Sequence, residues 1–216
     1  MKLHELLKGL DILSYTADMD ADIREVQYDS RLVESGDLFI AVPGAAADGH
    51  RFIPMALEKG AACVLCEKAP EGDVPYVQVA DSRRALAVVG GNRFDHPARE
   101  LTMIGVTGTS GKTTSTYLIK SILEQKAGAK VGLIGTIQNM IGDRVLHTER
   151  TTPESFELQK LLREMSDAGC THVVMEVSSH ALILDRVYGI QFAVGIYTNL
   201  SRDHLDFHHT MEAYCD

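Results

Sequence analysis

The residues best placed to do chemistry sit in one run, Ile104-Gly105-Val106-Thr107-Gly108-Thr109-Ser110-Gly111-Lys112-Thr113-Thr114. An apolar strand runs into a Gly-rich turn that opens a helix. Gly108 and Gly111 let backbone N–H groups converge on phosphate oxygens, and the helix N-terminus adds the positive end of its dipole. Lys112 supplies a charge for β/γ phosphates, and the Thr113 hydroxyl suits Mg²⁺. The spacing departs from the usual G-x-x-x-x-G-K-[ST], because Val106 stands where the first Gly would be. The loop reads as a compact variant running from Gly108 to Thr114.

Two further pieces fit a nucleotide site. In His172-Val173-Val174-Met175-Glu176-Val177 a carboxylate ends a buried strand. Open parallel sheets bind ligands at that end, and a hard carboxylate there can hold Mg²⁺ directly or through water. The run from Thr198 to His209 follows another strand end and packs His204, His208 and His209 with Asp203, Asp206 and Arg202. Histidine-rich loops prompt a zinc reading. No cysteine or Glu-x-x-His spacing supports zinc, and a Mg²⁺–ATP role fits the neighbouring motifs better. Ser178-Ser179-His180 tempts a hydrolase reading, but adjacent residues do not make nucleophile–base geometry and no G-x-S-x-G elbow is present.

These residues need elements to position them. Residues 1–97 read as a small α/β unit with strands at 25–28, 37–42, 63–66 and 74–79. Helices are expected at 52–59, ended by Gly60, and at 83–92, with Asp81 or Ser82 as cap. Cys63 and Cys66 lie on opposite faces of one strand and read as core residues, with neither a metal nor a disulfide between them. His96-Pro97 marks the boundary. Beyond it, strands at 101–107, 131–136, 172–177 and 192–198 alternate with helices, which argues a parallel sheet of about four strands. Leu118, Ile119, Ile122 and Leu123 are expected on the buried face of the helix that Gly128 stops. Pro153 after Thr152 looks like an N1 proline after an N-cap, opening a helix that ends at Gly169. A last helix opens at Thr210 and reaches Asp216 without a stop signal, so an interruption within a longer helix is expected.

The 216 residues are 45% apolar and 24% charged, which suits a globular chain and excludes a disordered or coiled-coil one. Net charge is −9 and no Lys/Arg cluster stands out, so a nucleic-acid partner is not expected. No apolar run is long enough for membrane insertion, and no secretory leader is legible. A cytoplasmic location is expected.

Taken together, the chain resembles the Mur ligases, and within them the branch that extends UDP-N-acetylmuramoyl-L-alanyl-D-glutamate. The resemblance rests on Gly105 to Thr114, Thr151-Thr152-Pro153-Glu154, Met175 to His180 and Thr198 to Asp206, in that order. Asp29-Ser30-Arg31, Gly36-Asp37-Leu38-Phe39 and Asp48-Gly49-His50 extend it into the first unit. It implies an α/β fold: an N-terminal UDP-binding domain, 1–97, then part of a P-loop central domain, 98–216, with a C-terminal amino-acid-binding domain lying outside the chain. It implies an ATP-dependent ligase in peptidoglycan synthesis that adds meso-diaminopimelate or L-lysine through an acyl phosphate. By resemblance, Tyr28 and Ser30 contact the UDP moiety; Gly108, Thr109, Ser110, Gly111, Lys112, Thr113 and Thr114 bind ATP; and Thr151, Thr152, Ser178 and Arg186 contact the muramoyl dipeptide. Lys112, Glu176 and His204 would carry catalysis, and Thr113, Glu176 and His204 the Mg²⁺.

Leu184 stands where some members have a substrate-binding glutamine, and Arg150 where some have asparagine, so neither takes a role. Thr152 as a mere helix cap and Arg186 as the partner of a nearby acid remain the plainer alternatives. Members also carry a lysine, carbamylated to hold magnesium, about two residues past Asp216. A monomeric full-length enzyme is expected, and no ligation by residues 1–216 alone. A related ligase of the folylpolyglutamate type and a non-catalytic nucleotide-binding module are the competing readings.

Overall fold

The computed structural model describes residues 1–44 and 47–215. They form two compact units, Met1–Arg93 and Phe94–Asp216.

The first unit is a five-stranded sheet in the order β1-β5-β4-β3-β2. Helix α1 spans Leu3–Leu6, and the strands are β1 (Ile12–Tyr15), β2 (Val26–Gln27), β3 (Leu38–Ile40), β4 (Cys63–Cys66) and β5 (Tyr76–Val79). β2 to β5 pair in parallel and β1 closes the edge antiparallel to β5. β1 escapes a sequence reading because Leu13 and Tyr15, on its outer face, are apolar yet more than half exposed. Its alternation is therefore invisible in residue types. Helix α2 (Ile53–Glu58) covers Phe39, Val64 and Cys66, while α3 (Ser82–Arg93) packs near α1. Asp81 caps α3, its carboxylate accepting the Arg84 N–H at 3.0 Å. Cys63 and Cys66 are both fully buried and unbridged.

The second unit is a six-stranded sheet in the order β11-β6-β10-β7-β8-β9. Its strands are β6 (Thr102–Thr107), β7 (Val131–Ile134), β8 (Asn139–Ile141), β9 (Arg144–Leu146), β10 (His172–Glu176) and β11 (Val194–Tyr197). The expected four parallel strands are joined by an antiparallel hairpin, β8–β9, turning at Gly142-Asp143 with Gly142 at φ +57°. A Gly-Asp pair between short apolar runs is the local signal for such a hairpin. Helix α4 (Lys112–Ala127) covers one face of the sheet through Ile119 and Leu123, against Ile104, Val106, Val131 and Val174. Leu118 and Ile122, expected to be buried with them, are 59% and 58% exposed. Helix α5 (Ser155–Asp167) covers the other face through Leu158, Leu162 and Met165. This helix corrects a second expectation. It begins at Ser155 with Glu154 at the cap position, so Thr152 is not its N-cap. Short helices α6 (Ser179–Ile183), α7 (Leu205–His208) and α8 (Met211–Cys215) follow, and β11 forms the sheet edge with Tyr197 exposed.

Candidate functional site

The four residues between β6 and α4 form a tight loop. Gly108 has φ +124° and Gly111, at the N-cap of α4, has φ +84°. A Cβ at Gly108 would stand 2.3 Å from Thr198 Oγ1 and 2.8 Å from the Asn199 carbonyl oxygen, so only glycine fits. That closeness is structural, because the segment after β11 holds the loop. The Thr198 hydroxyl sits 2.8 Å from the Ser110 carbonyl and 3.1 Å from that of Thr107. The Asn199 side chain brackets the Ser110 peptide, accepting its N–H at 3.1 Å and donating to its carbonyl at 3.0 Å. The Thr109 hydroxyl meets Tyr214 Oη at 2.9 Å. Lys112 curls over the loop, its ammonium donating to the Gly108 and Thr109 carbonyls at 2.6 and 3.0 Å. Gly111 brings no side chain to cap α4, so the first-turn N–H groups remain for a ligand.

Glu176 lies at the C-terminal end of β10, 1% exposed. Its Oε2 accepts the hydroxyls of Thr113 and Thr136, each at 3.0 Å, and its Oε1 accepts the Thr136 N–H at 2.9 Å. Among the described residues no Lys, Arg or His forms an ion pair with it. A buried carboxylate held only by neutral donors calls for a cation. The oxygens of Thr113 and Glu176 are hard donors of the kind Mg²⁺ takes, with phosphate and water completing its shell. The described residues place no three His, Cys, Asp or Glu side chains as a metal cluster.

His204 lines the same cavity at φ +52°. Its ring packs edge-on against His180 at 5.2 Å between centroids, and its Nε2 lies 3.8 Å from Asp203 Oδ2. Burial, and then the neighbouring His204 and His208, hold the His180 imidazole below its usual range. His208 is 5% exposed and meets the Ser179 hydroxyl at 2.9 Å through Nε2.

The third wall comes from residues 151–154 and the turn after β10. Thr152 is fully buried, donating its hydroxyl to the Glu176 carbonyl at 2.8 Å and accepting the Ser178 N–H at 3.1 Å. It ties the segment to the sheet end instead of capping a helix. Ser178 caps α6 by accepting the Ala181 N–H at 3.2 Å. Arg186 reaches the Thr152 carbonyl at 3.2 Å and pairs with Glu154 at 2.8 Å, with both side chains nearly buried. The acid pairing foreseen as the plainer alternative is therefore present, and Arg186 still lines the cavity.

The cavity measures about 630 Å³, the size of a small-molecule site. It brings together Thr109, Gly111, Lys112, Thr113, Thr151, Thr152, Glu176, Ser178, Arg186 and His204. Gly108, Ser110 and Thr114 are not among its lining residues. Thr136 and His180 line it without having been singled out as site residues from the sequence. In the first unit, Ser30 is 6% exposed and its hydroxyl donates to the Met55 sulfur at 3.5 Å, a weak acceptor. It follows Asp29, whose carboxyl the Arg31 guanidinium holds below the usual range, and Tyr28 beside them is half-buried.

The chain is similar to known proteins along nearly its whole length. Residues 106–216 match the Mur ligase middle domain, and residues 22–94 match a domain described as "Mur ligase family, catalytic domain". The chain is 52% identical over 219 residues to a UDP-N-acetylmuramoyl-L-alanyl-D-glutamate–2,6-diaminopimelate ligase of Clostridium tetani, with 99% of this chain and 45% of that protein covered. The ligase of the same name from Bacteroides fragilis is 47% identical, over 99% of this chain and 44% of its own. The chain thus spans less than half the length of the curated relatives it matches. A solved structure of a ligase of that name superposes with a TM-score of 0.81 at 29% identity, covering 99% of this chain and 43% of the other. A MurF ligase from Thermotoga maritima, solved in complex with ADP, gives 0.56 at 25% identity over 91% of this chain and 42% of its own. The middle-domain match alone takes in more than half of the chain, from the end of β6 through the phosphate loop, Glu176 and the 198–209 segment, and so the chain belongs to the Mur ligase family.

Proposed function

We propose that this chain provides the nucleotide and muramoyl-peptide sites of an ATP-dependent ligase that joins 2,6-diaminopimelate to UDP-N-acetylmuramoyl-L-alanyl-D-glutamate. The observation that carries the reading is the meeting of two chemistries in one cavity. Thr113 and Glu176 share a hydrogen bond of 3.0 Å at the phosphate end, and Thr152, Ser178 and Arg186 line the same space. The names of the Clostridium and Bacteroides relatives support diaminopimelate as the amino acid added.

A carboxylate is a poor electrophile, so the D-glutamyl carboxylate would first attack the γ-phosphorus of ATP and release ADP. The diaminopimelate amine would then attack the acyl carbon, losing a proton as phosphate leaves. Phosphoryl transfer depends on positioning and charge neutralisation. Lys112 and the first-turn N–H groups of α4 would bind the phosphates, and Arg186 would orient the attacking carboxylate. Thr113 and Glu176, with His204 at the rim, would hold Mg²⁺, which supplies charge neutralisation on the phosphates. Ser30 and Tyr28 of the first unit would bind the UDP moiety, the Ser30 hydroxyl exchanging its weak contact with the Met55 sulfur for the ligand. We assign the reaction to the cytoplasm, where ATP is available. No described helix is long and apolar enough to cross a membrane.

The test is calorimetric titration of the 216-residue chain with UDP-N-acetylmuramoyl-L-alanyl-D-glutamate and with the same compound lacking D-glutamate. The dipeptide form should bind on the order of tenfold more tightly, as one charged hydrogen-bonded contact warrants. Arg186→Gln should remove that difference while leaving ADP binding in place. Equal affinity for the two compounds would sink the assignment.

A further inference from the structure

We propose that Thr136 is the positioning residue that sets the Glu176 carboxylate for the metal and ties it to the peptide side of the cavity. The inference rests on the Mg²⁺–nucleotide reading above and adds to it a residue that lies in neither sequence motif. Thr136 follows β7, whose Ile134 pairs with Met175 of β10, so the sheet register sets it beside Glu176. It engages both carboxylate oxygens, Oε1 through its backbone N–H at 2.9 Å and Oε2 through its hydroxyl at 3.0 Å. Gly135 closes the other side, since a Cβ there would come within 2.4 Å of Oε1. The carboxylate is held against bare backbone by three donors, two of them from Thr136.

Hydroxyl bookkeeping gives the chain a direction. The single Thr136 hydroxyl proton goes to Glu176, so the Thr151 hydroxyl, 3.0 Å away, must donate to Thr136. Thr113 also donates to Oε2, which leaves its lone pairs free for a cation. The line from Thr151 through Thr136 and Glu176 to Thr113 therefore joins the peptide-facing segment to the phosphate loop. Removing the middle hydroxyl leaves Oε2 with Thr113 alone, so the carboxylate loses one of its three donors and its orientation loosens. Partners that orient a metal ligand typically govern about 10–100-fold in metal affinity. The retained Thr136 N–H points to the low end of that range.

The experiment measures ADP binding to the 216-residue chain by calorimetry, in Mg²⁺ and in EDTA, for Thr136→Val, Thr136→Ser and the unsubstituted chain. Thr136 is exposed, so the isosteric valine should be tolerated, and Thr136→Ala, which only removes atoms, serves as the second variant. The expected result is a Mg²⁺ enhancement of affinity that falls about tenfold in Thr136→Val and Thr136→Ala and survives in Thr136→Ser. Affinity in EDTA should match across all four. An enhancement left intact in the valine and alanine variants overturns the role of Thr136 while leaving the nucleotide site standing. Equal loss in Mg²⁺ and in EDTA also overturns it, because that pattern marks a loosened loop. No enhancement in the unsubstituted chain overturns the metal reading itself, and this inference with it.

Discussion

Gly108→Ala should damage the phosphate loop far more than Gly111→Ala, although both glycines sit at positive φ. At Gly111 a Cβ meets nothing within 4 Å, so the cost is the left-handed backbone alone, about 1–2 kcal/mol. At Gly108 the same strain applies, and the new methyl would also lie 2.3 Å from Thr198 Oγ1. Thr198 must then move away from the Ser110 and Thr107 carbonyls, forfeiting the one hydroxyl hydrogen bond it shares between them, worth about 1 kcal/mol. The sum is about 2–3 kcal/mol, against a typical total stability of about 5–15 kcal/mol. The second unit should still fold, with its melting point lowered by about 10 °C, compared with about 6 °C for Gly111→Ala. Thermal denaturation read by circular dichroism gives the ranking. Amide hydrogen exchange over residues 107–111 and 198–201 should show lost protection in Gly108→Ala only. Equal melting points for the two variants, with protection retained in both, would refute the steric argument.

Other outcomes follow from the same structure. Burial pushes the Cys63 and Cys66 thiols up to about 12 and about 11, and Cys215 is exposed. A thiol reagent at pH 8 should therefore label Cys215 alone in the native chain and all four cysteines after denaturation; prompt labelling of Cys63 would contradict the packing. The Arg163 guanidinium, followed by the Ser166 hydroxyl, holds the Glu100 carboxyl down at about 2 from its usual 4.5. A carboxyl lowered by folding stabilises above its unfolded value, so the melting-point advantage over Glu100→Gln should be full above pH 4.5 and vanish as pH falls towards 2. An advantage independent of pH would assign the contact to packing. Ser30→Ala should weaken binding of the UDP-muramoyl dipeptide by about 3–10-fold and leave ADP binding unchanged; equal loss of both would indicate a folding defect.

The phosphate loop was legible because its chemistry is local: a strand, then two glycines, a lysine and three threonines from Gly108 to Thr114, specify turn, dipole and charge together. The parallel strands were legible for the same kind of reason, as unbroken apolar runs. What escaped depended on partners distant in sequence. Thr152 carries the local signature of a helix cap, yet its hydroxyl is claimed by the Glu176 carbonyl, 24 residues away. Thr136 has no local signature, and its importance arises only when β7 and β10 pair. Thr198 and Asn199 were visible as part of a motif, but their grip on the loop required β11 beside β6. On α4 the apolar pattern was wider than the buried stripe, so Leu118 and Ile122 could not be separated from Ile119 and Leu123 without the sheet.

The central claim is that the β6–α4 loop and Glu176 form a magnesium–nucleotide site. Its most direct test is a calorimetric titration of the chain with Mg²⁺–ATP, repeated with Lys112→Ala. Lys112, whose ammonium is shared between the Gly108 and Thr109 carbonyls, is the one lysine among the described residues that lines the cavity. Saturable binding should appear in the unsubstituted chain, be displaced by ADP, and weaken by about 10–100-fold in Lys112→Ala, the worth of a charged hydrogen bond. Absence of saturable binding, or an affinity unchanged by the substitution, would contradict the account.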